Sequence, residues 1–225
     1  MPEPLLQLEG IVLLTSEGRT LFKGLDWLLP RGAKVNLLGV VGGAVTALFR
    51  LAAGVIHPQE GRILLEGVAL GPYTFNHPFI HRGGIGWVPP EGGLIVNQTL
   101  LANLALPLRF TKGLGRGEAL AKAAQALDQA GLSELAGHRP HVMDVRERWL
   151  GALVRASLME PRLWLIDQPA GDLDRKTLKE ATKIVEQAAA ADTTLVIAGE
   201  GKWIPRQGLE LFQLENDRVL PLETP

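Results

Sequence analysis

The amino-acid order predicts an α/β fold built on a parallel sheet, on three observations. Short apolar runs that read as strands alternate with helical patterns along nearly the whole chain. A glycine-rich turn, Gly39 to Gly43, separates one apolar run from the helical pattern that follows it. The N-terminal quarter carries two strand patterns joined by a turn.

In chain order, residues 5–14 and 20–29 read as strands joined at Ser16-Glu17-Gly18. Lys34 to Leu38 reads as a buried strand feeding the glycine turn, and Thr46 to Ala53 as the start of a helix. Gly61 to Gly67 and Gly84 to Val88 read as further strands. Glu118 to Ala130 is amphipathic, with Leu120, Ala123, Ala124, Leu127 and Ala130 at helical spacing. A helix is expected from about Val145 to Met159, an apolar strand over Leu163-Trp164-Leu165-Ile166, and a helix over Leu178 to Ala190. The buried strand Thr194 to Ala198 and a terminal pair around Leu209 to Leu214 and Val219 to Leu222 complete the pattern. No internal repeat, low-complexity tract or linker interrupts it, so one domain is expected.

Composition narrows the function. A net charge of −1 gives no electrostatic footprint for nucleic acid or an anionic membrane. With no cysteine there is no disulfide, thiolate metal site or cysteine nucleophile. Met1-Pro2-Glu3-Pro4 lacks the flank and apolar core of a signal peptide. The apolar stretch from Val35 to Ile56 resembles a membrane span, but Arg50 and the cluster Gly39, Gly42 and Gly43 break it, and a strand, turn and helix account for it better.

The chemistry centres on Gly39-Val40-Val41-Gly42-Gly43-Ala44-Val45-Thr46. This has the frame of the phosphate-binding pattern G-x-x-x-x-G-K-[ST], in which backbone amides cradle phosphates and a lysine reaches the outer oxygens. Here Ala44 stands for the second glycine and Val45 for the lysine.

The order of segments resembles the nucleotide-binding subunit of an ABC transporter over nearly the whole chain. The resemblance rests on Pro30-Arg31-Gly32 before the loop; on Gly54, Pro58, Gly61, Ile63 and Gly67 after it; and on T-L-L-A-N-L-A-L-P-L over Thr99 to Leu108. It continues through Arg155 to Pro161, Leu163 to Pro169, and Leu173-Asp174. It implies a P-loop NTPase-like ABC ATPase domain spanning 1–225: a mixed sheet core with N-terminal antiparallel strands (about 1–90 and 160–225) and a helical subdomain (about 91–159). The stretch Glu91 to Phe110 looks most similar to ATPases of bacterial phospholipid-trafficking transporters.

By the same resemblance, the residues that do chemistry in the family are replaced here. Ser16 stands where an aromatic stacks on adenine, and Pro90 where a glutamine senses metal and nucleotide. Met143-Asp144-Val145-Arg146-Glu147 stands for the L-S-G-G-Q signature that grips the partner's γ-phosphate. Gln168 stands for the glutamate general base and Glu200 for the switch histidine. Loss of the lysine alone removes a charge pair worth ~4 kcal/mol at an effective dielectric of about 20. Ala44 adds a Cβ where backbone must approach phosphate or take a glycine conformation, and Asp144 would set a carboxylate near the partner's phosphate.

The expectation that follows is a pseudo-ATPase: no enzyme, no cofactor, and a phosphate loop (Gly39, Gly42, Gly43, Ala44, Val45, Thr46) that is vestigial. No metal is expected. Thr46 and Asp167 stand where the family holds magnesium, but they also read as a first-turn helix residue and a strand-end cap. His77 and His81 read as a loop pair because Pro78 lies between them, and Arg146-Glu147-Arg148 as a solvated helix face. The five tryptophans read as core or interface. The expected partners are an ABC permease of the inner or plasma membrane and a second cassette, as a homodimer or a heterodimer with an active ABC ATPase, and no nucleic acid. The expected location is cytoplasmic, peripheral on the cytoplasmic face of the membrane. An ATPase with weak binding or hydrolysis, and a free regulatory or scaffold protein, are the two other readings.

Overall fold

The computed structural model describes residues 4–39, 43–71, 84–167, 174–189, 192–199, 209–215 and 218–222. Ten strands run in chain order: β1 (Pro4–Leu14), β2 (Thr20–Pro30), β3 (Lys34–Gly39), β4 (Glu60–Leu65), β5 (Val68–Ala69), β6 (Ile85–Val88), β7 (Leu163–Ile166), β8 (Thr194–Ala198), β9 (Glu210–Glu215) and β10 (Arg218–Pro221). Five α-helices are described: α1 (Ala44–Ala52), α2 (Leu100–Phe110), α3 (Arg116–Gln129), α4 (Val145–Ser157) and α5 (Arg175–Ala188).

Among the described residues the strands form one sheet in the order β5-β4-β1-β2-β10-β9-β3-β8-β7-β6. Strands β6, β7, β8, β3 and β9 are parallel. Strands β1, β2, β4 and β5 pair antiparallel, β1–β2 and β4–β5 through short turns and β1–β4 across a longer stretch of chain. The α/β class read from the sequence is present, and the sheet is mixed, as the resemblance implied, rather than parallel throughout.

The apolar runs of β7 and β8 are buried at every position because helices or strands cover both faces. Alternation of side chains divides them between two cores. Leu163, Leu165, Val196 and Ala198 join α1 and the N-terminal strands. Trp164, Ile166, Leu195 and Ile197 join α2 to α5.

Where boundaries differ from expectation, a cap decides. Helix α5 starts three residues before Leu178 because Asp174 accepts a hydrogen bond from the Thr177 amide at 2.7 Å. Helix α3 buries Ala119, Ala123 and Leu127 and leaves Ala124 exposed, so its apolar stripe is rotated from the one the spacing suggested. Of the tryptophans, Trp149 and Trp164 are fully buried and Trp27 nearly so, Trp87 is half-buried, and Trp203 lies outside the described residues. Gly61, at φ +88°, lies where strand β4 meets a bulge of β1. A Cβ there would stand 2.4 Å from the Glu9 carbonyl oxygen, so only glycine fits.

Glu66 ties three turns together. Its carboxylate accepts from Arg31 at 2.6 Å and from both terminal nitrogens of Arg162 at 2.7 and 3.0 Å. Partial burial pushes its pKa up, but the hydrogen bonds and charges of Arg31 and Arg162 outweigh that and hold it below the ordinary carboxylate range. A lowered folded pKa means that the stability it contributes is complete above the unfolded pKa and is lost as pH falls through the folded one. Wild-type protein is therefore expected to melt above Glu66→Gln at pH 7, with the gap closing below about pH 4. Melting temperatures of the two proteins across that range check this; a gap independent of pH would refute it.

Candidate functional site

The site is assembled where β3 gives way to α1. Strand β3 is central, between β9 and β8, and delivers Gly39 to the sheet edge in register with Leu214. Of the phosphate loop, Gly39, Gly43, Ala44, Val45 and Thr46 are described; Gly42 lies outside the described residues.

Gly43 is the N-cap of α1 at φ 80°, a left-handed conformation that favours glycine. It makes no side-chain cap, and the first turn carries no acidic residue. The first amides of α1 have no intrahelical acceptor, so they point, with the helix dipole, toward any anion held by the loop. Ala44 is helical rather than left-handed, so the expected conformational conflict at this position does not arise; the turn is made at Gly43. Val45 packs its side chain against the core beneath the helix.

Thr46 and Asp167 do come together. The Thr46 hydroxyl donates to Asp167 Oδ2 at 2.6 Å, and Asp167, at the end of β7, is only 6% exposed. The Asp167 amide donates to the Val88 carbonyl, and the Asp167 carbonyl accepts from the Trp149 indole at 3.0 Å. The backbone carrying the carboxylate is thus clamped from β6 and α4. A hydroxyl and a carboxylate oxygen side by side at an open helix end fit a hard divalent cation that arrives with a polyphosphate. Among the described residues no three His, Cys, Asp or Glu side chains converge, here or elsewhere, while His77 and His81 lie outside them.

The segment read as an altered signature opens α4. Asp144 is its N-cap, with Oδ1 accepting from the Glu147 amide at 2.8 Å while Glu147 accepts from the Asp144 amide at 2.9 Å. This reciprocal capping box uses one carboxylate oxygen of the exposed Asp144 to cap its own helix. Arg146-Glu147-Arg148 is not a merely solvated face. Arg146 pairs with Asp174 Oδ2 at 2.6 Å, and Arg148 donates to the carbonyls of Met143 and Pro140 at 2.6 and 3.3 Å. The Asp174 carboxyl is held below the usual carboxylate range, by the Thr177 amide and hydroxyl first and by Arg146 as well.

Other positions are scattered. Ser16 is exposed at the tip of the β1–β2 hairpin, where Gly18 donates to the Thr15 carbonyl. Pro90 follows β6, half-buried, with neither side-chain donor nor amide hydrogen to offer a ligand. Gln168, Leu173 and Glu200 lie outside the described residues.

Sequence reasoning missed the clamp on the segment after β6. Arg155, from α4, donates to the carbonyls of Gly93 at 2.7 Å and Gly92 at 3.3 Å, and burial lowers its pKa. Gly92 leaves no room for a side chain, since a Cβ would stand 2.8 Å from the Arg148 carbonyl oxygen. Asn103 of α2 accepts from the Ile95 amide at 2.7 Å and donates back to its carbonyl at 3.1 Å. These contacts form one wall of an apolar groove of about 340 Å³ lined by Trp87, Ile95, Leu106, Pro107, Phe110 and Met159. No motif announces them, because Arg155 and Gly93 are 62 residues apart.

The comparisons agree with this geometry. Residues 22–171 match the model of the ABC transporter family. The lipoprotein-releasing system ATP-binding protein LolD 1 of Rhodospirillum rubrum is 30% identical over 181 residues, 79% of this chain and 80% of that protein. LolD of Rhodopseudomonas palustris is 29% identical over 225 residues, 98% of this chain and 97% of that protein. The dimeric structure of a post-hydrolysis state of the ATP-binding cassette MJ0796 bound to ADP and Pi superposes with a TM-score of 0.82 at 22% identity, covering 95% and 96% of the two chains, a likeness that bears on fold alone.

These findings overturn the expectation that the chain is no enzyme: the relatives are named ATP-binding proteins of a transport system, and the family match runs through the phosphate loop itself. The physical reason lies in the open first turn of α1, because a loop that holds phosphate largely through backbone amides keeps those donors when side chains change. No described helix is long and apolar enough to cross a membrane. The chain therefore belongs to the ABC transporter family, as an ATPase subunit related to lipoprotein-releasing ATP-binding proteins.

Proposed function

We propose that this chain is the nucleotide-driven subunit of a membrane transporter for lipid or lipoprotein, bound at the cytoplasmic face to a permease whose cytoplasmic helix lies in the groove beside α2. The observation that carries the permease contact is the apolar rim of that groove. Phe110 is 76% exposed, Val96 67% and Ile95 41%, an apolar cluster of the kind that marks a binding surface on a soluble face. The lipid or lipoprotein cargo is supported by the named role of the LolD relatives.

On this reading residues 91–159 act as a helical subdomain and residues 1–90 and 160–225 as the core. Two copies pair head to tail, each phosphate loop opposite the other's Asp144-Val145-Arg146 segment. The open amides of α1 hold the phosphates, and Thr46 and Asp167 hold the divalent cation, which neutralises charge on them. The clamp of Arg155 and Asn103 fixes the segment from Pro89 to Asn97 between nucleotide and groove, so movement at one is felt at the other.

Val96→Glu with Phe110→Glu is expected to release the chain from its permease at least tenfold more readily while the melting temperature stays within a few degrees, since both side chains are exposed. Val45→Lys should leave assembly intact. Co-purification with membranes from the native cell is the measurement. Unchanged retention of the double variant, or a wild-type chain found alone in the soluble fraction, overturns the reading.

A further inference from the structure

We propose that Arg146 of one subunit supplies, to the phosphate loop of a second copy of this chain, the positive charge that Val45 does not. This deepens the head-to-tail reading above and rests on it.

Beyond the divalent cation, the helix that follows the loop supplies no side-chain cation to the phosphates. Helix α1 has no lysine or arginine in its first turn, and its one basic residue, Arg50, is exposed in its last turn. Amides and a helix dipole supply partial charge only, while a polyphosphate carries several full negative charges.

At the start of α4 the charges are already sorted. Asp144 and Glu147 cap one another, and Arg148 is spent on two carbonyls of the preceding turn. Arg146 alone among these has a partner it can leave. Its side chain is 48% exposed and that of Asp174 50%, so their ion pair lies in water, where such pairs hold weakly. Release costs Asp174 nothing as a cap, because it uses Oδ2 for Arg146 and Oδ1 for the Thr177 amide. A guanidinium offers phosphate a planar pair of donors, and a phosphate of higher charge displaces a single carboxylate from it. Asp174 therefore parks Arg146 in the separate subunit, and the nucleotide of the facing copy takes it over when the two close.

The test is the ATP concentration that half-dimerises the purified full-length chain with Mg²⁺, read by sedimentation velocity. Arg146→Ala should raise that concentration roughly tenfold or more, with Arg146→Lys in between. Asp174→Asn keeps an acceptor for Thr177 but drops the competing charge, so it should lower it. Val45→Lys added to Arg146→Ala should recover most of the loss. Opposite signs for Arg146→Ala and Asp174→Asn are the signature, since a purely structural ion pair would make both variants worse. Changes of the same sign overturn the proposal and leave the dimer standing. A wild-type chain that stays monomeric with ATP and Mg²⁺ refutes the head-to-tail homodimer, and the proposal with it.

Discussion

Trp149→Ala is expected to cost about 3–5 kcal/mol of stability, a large part of the 5–15 kcal/mol that an ordinary domain has. Trp149 is fully buried in the core shared by α2 to α5, and its indole donates to the Asp167 carbonyl. Alanine leaves a large cavity and takes the indole donor from the Asp167 carbonyl beneath the site. Trp149→Phe should cost less, because it keeps most of the packing and loses chiefly the hydrogen bond. Denaturant midpoints for the two variants and the wild type measure this. A cost under about 1 kcal/mol for the alanine variant would mean that the site does not rest on this ring.

Asp167→Asn should uncouple nucleotide binding from magnesium. The carboxylate is nearly buried and 2.6 Å from the Thr46 hydroxyl, so the amide keeps the shape and loses the charge. Close charge pairs in partly buried sites are worth several kcal/mol, so the gain in ATP affinity that Mg²⁺ gives the wild type should fall roughly a hundredfold. The expected record is a pair of thermal-shift titrations with ATP, with and without Mg²⁺, that differ for the wild type and nearly coincide for the variant. An Asp167→Asn protein that keeps the full magnesium effect would remove Asp167 from the cation site. The folded apo protein should be little affected, since asparagine can still accept from Thr46.

Most of the fold was legible because its signals are local. The apolar runs of β7 and β8 lie in the chain as continuous stretches, and the turn at Ser16-Glu17-Gly18 joins strands that pair with each other. The phosphate loop could be located for the same reason: strand, glycines and helix are consecutive. The lipid-transporter resemblance of Glu91 to Phe110 agrees with the named relatives.

The inference from side chains to activity did not hold. It weighed the replaced side chains alone, whereas the relatives are named ATP-binding proteins and the turn at Gly43 and the first amides of α1 do not depend on those side chains.

By itself the sequence determined the α/β class, the sheet's antiparallel margin, the position of the phosphate loop and the absence of a lysine there. Only the tertiary structure decided which distant groups meet: Thr46 with Asp167, Arg155 with Gly93, Arg146 with Asp174, and Glu66 with Arg31 and Arg162. The reason is one of range. Periodicity and turn chemistry act over a few residues and are written in order along the chain. A hydrogen bond between residues 121 apart, such as that from Thr46 to Asp167, exists only once the strands and helices between them have packed.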